Sequence, residues 1–288
     1  MSQTQGQWFY ERAYHQLWAQ GVRYQKVLHS EKSAFQEITV LQTEALGRLL
    51  LLDNKTMVSD HDEFIYHEVM AHIPSAVLKN HQNALVIGGG DGGVIRELVK
   101  HPEWKKIQLV EIDQRVIDVS REYFPNCTSG LDDPRVEVHA QDGFEFLKNT
   151  TLKYDLIVVD STDPENFAKN LFTGQFYQMI QNSLTEVGIM MNQTENPLLD
   201  EYGIGQIYQN MRQAFNQVHS FSAPMLIYPG VFWTFGFCSQ KSQPLQLNPT
   251  KEKFLQDPKL NLKWYNPNWH RGAFQLSNLH LKAIGQKS

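Results

Sequence analysis

Cysteine is scarce in this chain: Cys127 and Cys238 are the only two, far apart and outside any C-x-x-C pair. That count and spacing exclude a disulfide framework and give no zinc pattern, so no metal site is expected. Long apolar runs are missing, and nothing in the sequence is of a length to span a membrane. The start, MSQTQGQWFYERAYHQLW, is polar and aromatic and lacks a signal-peptide core. Basic charge is also short. With 26 Lys+Arg against 31 Asp+Glu, the net charge of −5 argues against a nucleic-acid partner and suits a basic substrate. Internal repeats and low-complexity stretches are absent. The remainder, 288 residues at 41% hydrophobic and 20% charged, reads as a cytoplasmic globular protein with one large domain and a smaller appendage.

Against these absences stands a concentration of glycine at Ala84–Gly93, ALVIGGGDGG. A short apolar run into glycines, followed by a helical pattern over Val94–Lys100, reads as a buried parallel strand, a tight loop and a helix. Glycine lets backbone approach a ligand where a Cβ would intrude. This is the first strand–loop–helix of a nucleotide-binding α/β domain. The next strand, Ile107–Ile112, ends in Glu111 followed by Asp113, about twenty residues on, where an acidic side chain receives ribose hydroxyls. Asp91 departs from the dinucleotide pattern G-x-G-x-x-G. Its carboxylate would repel a pyrophosphate, so the loop suits a cationic ligand better.

Taken in order, Val27–Asp53 reads as β structure, with Ile38 and Val40 alternating with polar residues in FQEITVLQT and an Asp53-Asn54 turn into Lys55–Ser59. This gives a small antiparallel sheet over residues 1–61. A helix is predicted over Asp62–Leu78, with Ile65, Val69 and Ile73 on one face and a capping box from Asp60 to Glu63. On such a one-sided helix Tyr66 and His67 cannot both face the core. From residue 62 to 288 the chain forms the second domain. Its strands are expected at Ala84–Ile87, Ile107–Ile112, Arg135–Ala140, Tyr154–Asp160 and Gly188–Gln193, alternating with helices as in a parallel sheet covered on both faces. Two more are expected within Gln217–Tyr228 and Phe232–Ser239, and the aromatic segment Trp264–Leu276 closes the chain.

Carboxylates gather at the carboxyl ends of those strands, where open α/β sheets bind ligands: Asp91, Glu111 and Asp113, Asp142, then Asp160 and Asp163. Any one of them could serve only to cap a helix, Asp113 above all. Together they place so much like charge in one cleft that a cation must offset it. The expected ligand is a polycation beside a nucleoside.

Several segments carry a family resemblance: Phe35-Gln36, DEFIYHE (Asp62–Glu68), VIGGGDGG, LVEID, AQDG (Ala140–Gly143), VVDSTDP (Val158–Pro164), LFTGQFY (Leu171–Tyr177) and the WYNP…H…AF tail. With these the sequence resembles the spermidine synthases, the polyamine aminopropyltransferases, over residues 7 to 282. The resemblance implies a Rossmann-like, methyltransferase-type doubly wound α/β sheet with a small N-terminal antiparallel β domain. It implies transfer of an aminopropyl group from decarboxylated S-adenosylmethionine, a co-substrate and not a cofactor, to the small-molecule polyamine putrescine. Asp160 would be the base, assisted by Tyr66. Asp163 would bind the acceptor, and Asp91 the donor's terminal ammonium, rejecting the carboxylate of ordinary S-adenosylmethionine. His67 and Tyr228 would line the polyamine channel. Gly88, Gly90, Glu111, Asp142, Gly143 and Gln36 would hold the nucleoside. Members usually assemble as homodimers or homotetramers through the N-terminal sheet.

The match breaks after D-x-x-D-P, where Asn166 and Phe167 replace the family's glycine and proline and Lys169 replaces a common acidic residue. Phe167 would border the adenine in the proline's place. The loop QTENP (Gln193–Pro197) differs too. These departures bear on the choice of acceptor, with cadaverine or a longer polyamine as alternatives. Two rival readings are an S-adenosylmethionine methyltransferase, which has no use for Asp91 with the Asp160–Asp163 pair, and a binding relative without turnover, which has no use for a base.

Overall fold

A computed structural model describes residues 6–13, 15–164, 166–200 and 203–286, without the side chains of 166 and 167. Two sheets organise the chain. The first contains β1 (Gln7–Ala13), β2 (Trp18–Lys32), β3 (Glu37–Thr43), β4 (Arg48–Leu52) and β5 (Lys55–Ser59), paired antiparallel in that order. The sequence pattern shows only its inner part: β1 and the first half of β2 escape it because their side chains, aromatic ones included, are largely exposed and mark no core face. In β4 the period of two sends Leu50 and Leu52 to one face and Leu49 and Leu51 to the other. All four are buried, since a helical layer covers one face and the loop around Ile227 the other.

Next comes α1 (Glu63–Val77), and then the second sheet with its helices. The elements are β6 (Asn83–Gly88), α2 (Gly93–Val99), β7 (Lys106–Glu111), α3 (Gln114–Tyr123), α4 (Pro125–Thr128), β8 (Val136–Ala140), α5 (Gly143–Asn149), β9 (Tyr154–Asp160), α6 (Gly174–Ser183), β10 (Leu184–Gln193), α7 (Ile204–Ala214), β11 (Gln217–Pro224) and β12 (Phe232–Ser239). The tail adds α8 (Pro249–Phe254), α9 (Pro267–Ala273) and α10 (Asn278–Ala283). Strand order is β11-β12-β10-β9-β6-β7-β8, all running in one direction except β12, which is antiparallel to both of its neighbours. Chain direction around the sheet reverses between β6 and β9, the switch point at which such sheets open a crevice. There the register sets Gly88 opposite Asp160. Tyr228 lies beyond β11, in the loop to β12.

The helix α1 corrects two expectations. Every residue in it except Phe64 is buried, because the sheet, α2 and the C-terminal tail enclose it. Tyr66 and His67 therefore both lie inside, at 5% and 2% exposure. The capping box does not form: Asp60 pairs with Arg48 (2.8 and 3.0 Å), and Asp62 occupies the cap position without a side-chain cap bond. Asp62 instead accepts the Ser59 hydroxyl at 2.5 Å and the Ile227 N–H at 3.4 Å, tying the loop that carries Tyr228 to the start of the helix.

Candidate active site

One cavity opens at the switch point, walled by the glycine loop, the ends of β7 and β9, the start of α1, the N-terminal sheet and the loop around Tyr228. A Cβ on Gly88, which has φ +80°, would stand 2.1 Å from the Asp160 carbonyl oxygen, and one on Gly90 would stand 2.9 Å from the Glu111 side chain. These two positions must be glycine for the loop to nest between the acidic strand ends. Gly143 is excluded from larger side chains by Ile87, 2.3 Å from where its Cβ would sit.

On the nucleoside side, Glu111 is buried and accepts the Asp113 N–H at 2.9 Å. Burial pushes its carboxyl up to about 7. Asp113 has the structural role foreseen for it: Oδ1 caps α3 through the Arg115 N–H (3.0 Å), while Oδ2 accepts from Ser33 Oγ (2.6 Å) and Gln36 Nε2 (3.1 Å). That tie brings Gln36 to the cavity wall. Asp142 caps α5 through the Glu145 N–H at 3.0 Å and also faces the cavity.

At the centre, the Tyr66 hydroxyl donates to Asp160 Oδ1 at 2.7 Å. Asp160 Oδ2 is out of contact with solvent and has no hydrogen-bond partner among the described residues. Burial, then the nearby Asp91 charge, raise the Asp160 carboxyl to about 7 against smaller opposing effects of Tyr66 and His67. Tyr66 stays a protonated donor, since burial and Asp160 push its phenol up. Its ring meets Tyr228 and Phe235 edge-on, and Tyr228 donates to the Met57 carbonyl at 3.2 Å.

His67 lines the cavity, with both ring nitrogens committed to carboxylates. Nε2 lies 3.0 Å from Asp91 Oδ1 and Nδ1 lies 2.5 Å from Glu63 Oε2, so both nitrogens donate within the wall, as only an imidazolium can. Burial works against that charge, but Asp91 and Glu63 outweigh it and raise His67 to about 10. Asp91, which also accepts the Gly93 N–H at 2.8 Å, is held below its usual range by His67 despite burial.

Asp163 lines the outer part of the cavity with Lys55 Nζ 3.8 Å from its Oδ2. Near it the structure adds a group that the sequence did not point to. Glu11, on β1, is buried, accepts the Thr56 N–H (2.8 Å) and hydroxyl (2.6 Å), and is pushed up to about 7 by burial. Glu195, in the QTENP loop, is a second unforeseen buried carboxylate on the wall. Phe167 belongs to a 3-10 turn over Asn166–Phe172, and its side chain lies outside the described residues.

Comparison with known proteins gives two family matches, a spermine/spermidine synthase domain over residues 63–248 and a spermidine synthase tetramerisation domain over residues 7–60. The polyamine aminopropyltransferase of Moorella thermoacetica is 42% identical over 271 residues, 94% of each chain. That of Clostridium perfringens is 42% identical over 259 residues, 89% of this chain and 90% of the relative. Among solved structures, a spermidine synthase bound to the transition-state analogue AdoDATO superposes with a TM-score of 0.93 at 32% identity, covering 99% of this chain and 98% of that one. Spermidine synthase from Thermotoga maritima gives 0.91 at 33% identity, covering 98% and 95%.

Proposed function

This chain belongs to the spermine/spermidine synthase family, and from that premise we propose that its aminopropyl acceptor is putrescine. It is an aminopropyltransferase. The proposed products are spermidine and 5′-methylthioadenosine, and the donor, decarboxylated S-adenosylmethionine, is a co-substrate, with no further cofactor in the scheme.

The observation that carries this reading is Asp160 on the wall of a cavity that Asp91 shares, with Oδ1 held by the Tyr66 hydroxyl and Oδ2 buried without a partner among the described residues. An amine acceptor arrives as an ammonium with an ordinary pKa of about 10.4. The Asp160 carboxylate takes one of its protons, while the Tyr66 hydroxyl fixes its orientation through Oδ1. The freed lone pair attacks the propyl carbon next to the sulfonium in line, and the C–S electron pair returns to sulfur as a neutral thioether. The proton held by Asp160 then leaves to solvent. A carboxyl raised to about 7 is a closer match to an ammonium than one at its usual value, though orientation still has to supply much of the rate. Asp91 holds the donor's terminal ammonium, Glu111 the ribose hydroxyls, and Asp163 the acceptor. Gln36, Asp142 and the glycines Gly88, Gly90 and Gly143 shape the nucleoside pocket, with Phe167 at its adenine edge. The rings of Tyr66 and Tyr228 wall the acceptor's path, and we assign the protein to the cytoplasm as a homodimer or homotetramer.

The test is a product assay with decarboxylated S-adenosylmethionine against putrescine, cadaverine, spermidine and agmatine. Preference for putrescine is expected. Preference for another amine keeps the chemistry and moves specificity to the Asn166–Lys169 loop. A methylated product, or nucleoside binding without transfer, overturns the scheme.

A further inference from the structure

Arg96, Glu63, His67 and Asp91 stand in single file with alternating charge, the last three on the cavity wall. Arg96 donates from Nη1 and Nη2 to the two oxygens of Glu63 at 2.9 and 2.8 Å. Glu63 Oε2 also accepts from His67 at 2.5 Å, and His67 reaches Asp91 at 3.0 Å. The far edge of the guanidinium is fixed as well. Its Nε donates to Glu97 Oε1 at 2.8 Å, and Glu97 Oε2 meets His72 Nε2 at 2.9 Å and Lys100 Nζ at 2.6 Å. Glu63, His67, Asp91 and Glu97 are all buried. Charges in so dry a place persist only when each has an opposite neighbour.

We propose that Glu63 is a positioning residue: it offsets the charge of His67 and fixes its ring, so that Asp91 is held in place and keeps its negative field for the donor's terminal ammonium. The inference rests on the reading that Asp91 binds that ammonium. With Glu63 charged, the row runs plus, minus, plus, minus, and the ammonium extends the alternation. Without that charge, the His67 imidazolium is no longer offset. Asp91 is then neutralised by His67 alone, and an arriving ammonium meets an uncompensated cation beside it. The same arrangement accounts for another feature. Glu63, His67 and Cys127 bring ligand atoms within 4.8 Å of one another, a spacing that could hold a metal ion. Arg96 occupies both Glu63 oxygens and the two carboxylates occupy both His67 nitrogens, so this is an ion-pair row and not a ligand set. The low carboxyl of Glu63, held at about 2 by His67 and Arg96 against burial, is consistent with a permanently charged link.

The test is Glu63→Gln, which keeps the shape and an acceptor oxygen but removes the charge. The KM for decarboxylated S-adenosylmethionine is expected to rise roughly tenfold, the scale of one lost favourable charge a few ångströms behind the contact, with the Kd for 5′-methylthioadenosine unchanged within about twofold. A general structural defect would weaken both equally, and that result, or no change in either, overturns the proposal. In a His67→Gln background, which has no imidazolium to offset, Glu63→Gln is expected to cost nothing further. This second comparison also decides the matter should the single Glu63 variant not fold, and a further tenfold loss there overturns the proposal. Asp91→Asn separates the two levels of the argument. Should it weaken donor and methylthioadenosine equally, the Asp91 reading itself falls. Should it weaken the donor alone while Glu63→Gln does not, only the role of Glu63 falls.

Discussion

Asp160 carries its two oxygens in different states, one held by Tyr66 and the other buried with no partner among the described residues. A group raised to about 7 must be ionised to accept a proton, so kcat/KM is expected to rise with pH through about 7 and level off above it. With the sulfonium donor bound, the added positive charge favours the carboxylate and shifts the kcat limb to lower pH. Initial rates between about pH 5.5 and 9 check both limbs, and a flat profile would remove Asp160 as the base. Asp160→Asn is expected to lower kcat by roughly 10²–10⁴-fold while leaving donor affinity intact. The stability sign is distinct from the activity sign. A carboxyl raised from 3.8 to about 7 on folding stabilises the fold fully below 3.8 and loses that contribution as pH rises through 7. Ligand-free Asp160→Asn should therefore gain in Tm over the parent at pH 8 and keep only part of that advantage at pH 5. The strand-end carboxylates were legible because they sit where the sequence itself places the ends of apolar runs. Glu63 and Glu11 were not, because their meaning comes from Arg96, 33 positions away, and Thr56, 45 positions away.

Among the elements, α1 concentrates the most function, giving Tyr66 and His67 to the site and Glu68 to the tail. The Glu68 carboxylate accepts the backbone N–H groups of Lys263, Trp264 and Tyr265 at 2.8, 2.9 and 2.7 Å. This closes the aromatic tail over the face of α1 that a one-sided helix would show to water. Glu68→Ala would leave those donors unsatisfied and is expected to cost roughly 3–5 kcal/mol in urea denaturation. A loss of under about 1 kcal/mol would mean that the tail is held by its rings alone. The tail segment was visible in the sequence, but its anchor was not, since Glu68 sits 195 to 197 positions from the N–H groups it binds. The strands β6, β7 and β9 were read to within a residue because strands buried on both faces are written as continuous apolar runs, as in Tyr154–Asp160. The strand β10 instead starts at Leu184, four residues before the expected Gly188, where Thr185–Val187 are only partly buried or exposed. By contrast β1 and β2 carry exposed residues such as Trp8, Tyr10 and Val27 on a polar background, and periodicity had no core face to report.

For the molecule as a whole, that exposed surface bears on assembly. Trp8 and Tyr10 stack with centroids 6.1 Å apart over Gly21, at 54% and 57% exposure, on the segment matched as a tetramerisation domain. Large aromatics grouped on one face of a sheet mark an association surface. The alternation of β1 makes this surface consequential for the site: Trp8 and Tyr10 point outward, and the next residue, Glu11, points into the cavity. If assembly uses this face, it and the Asp163 side of the cavity share one strand, whereas the glycine loop and Glu111 belong to the second sheet. Trp8→Glu with Tyr10→Glu is expected to lower the mass seen by light scattering to that of a smaller species. In that species the KM for the amine acceptor should rise while the affinity for 5′-methylthioadenosine holds, because only β1 loses its support. Loss of mass without a change in acceptor KM would show that the strand keeps its place unaided. An unchanged mass would move the association surface elsewhere on the sheet.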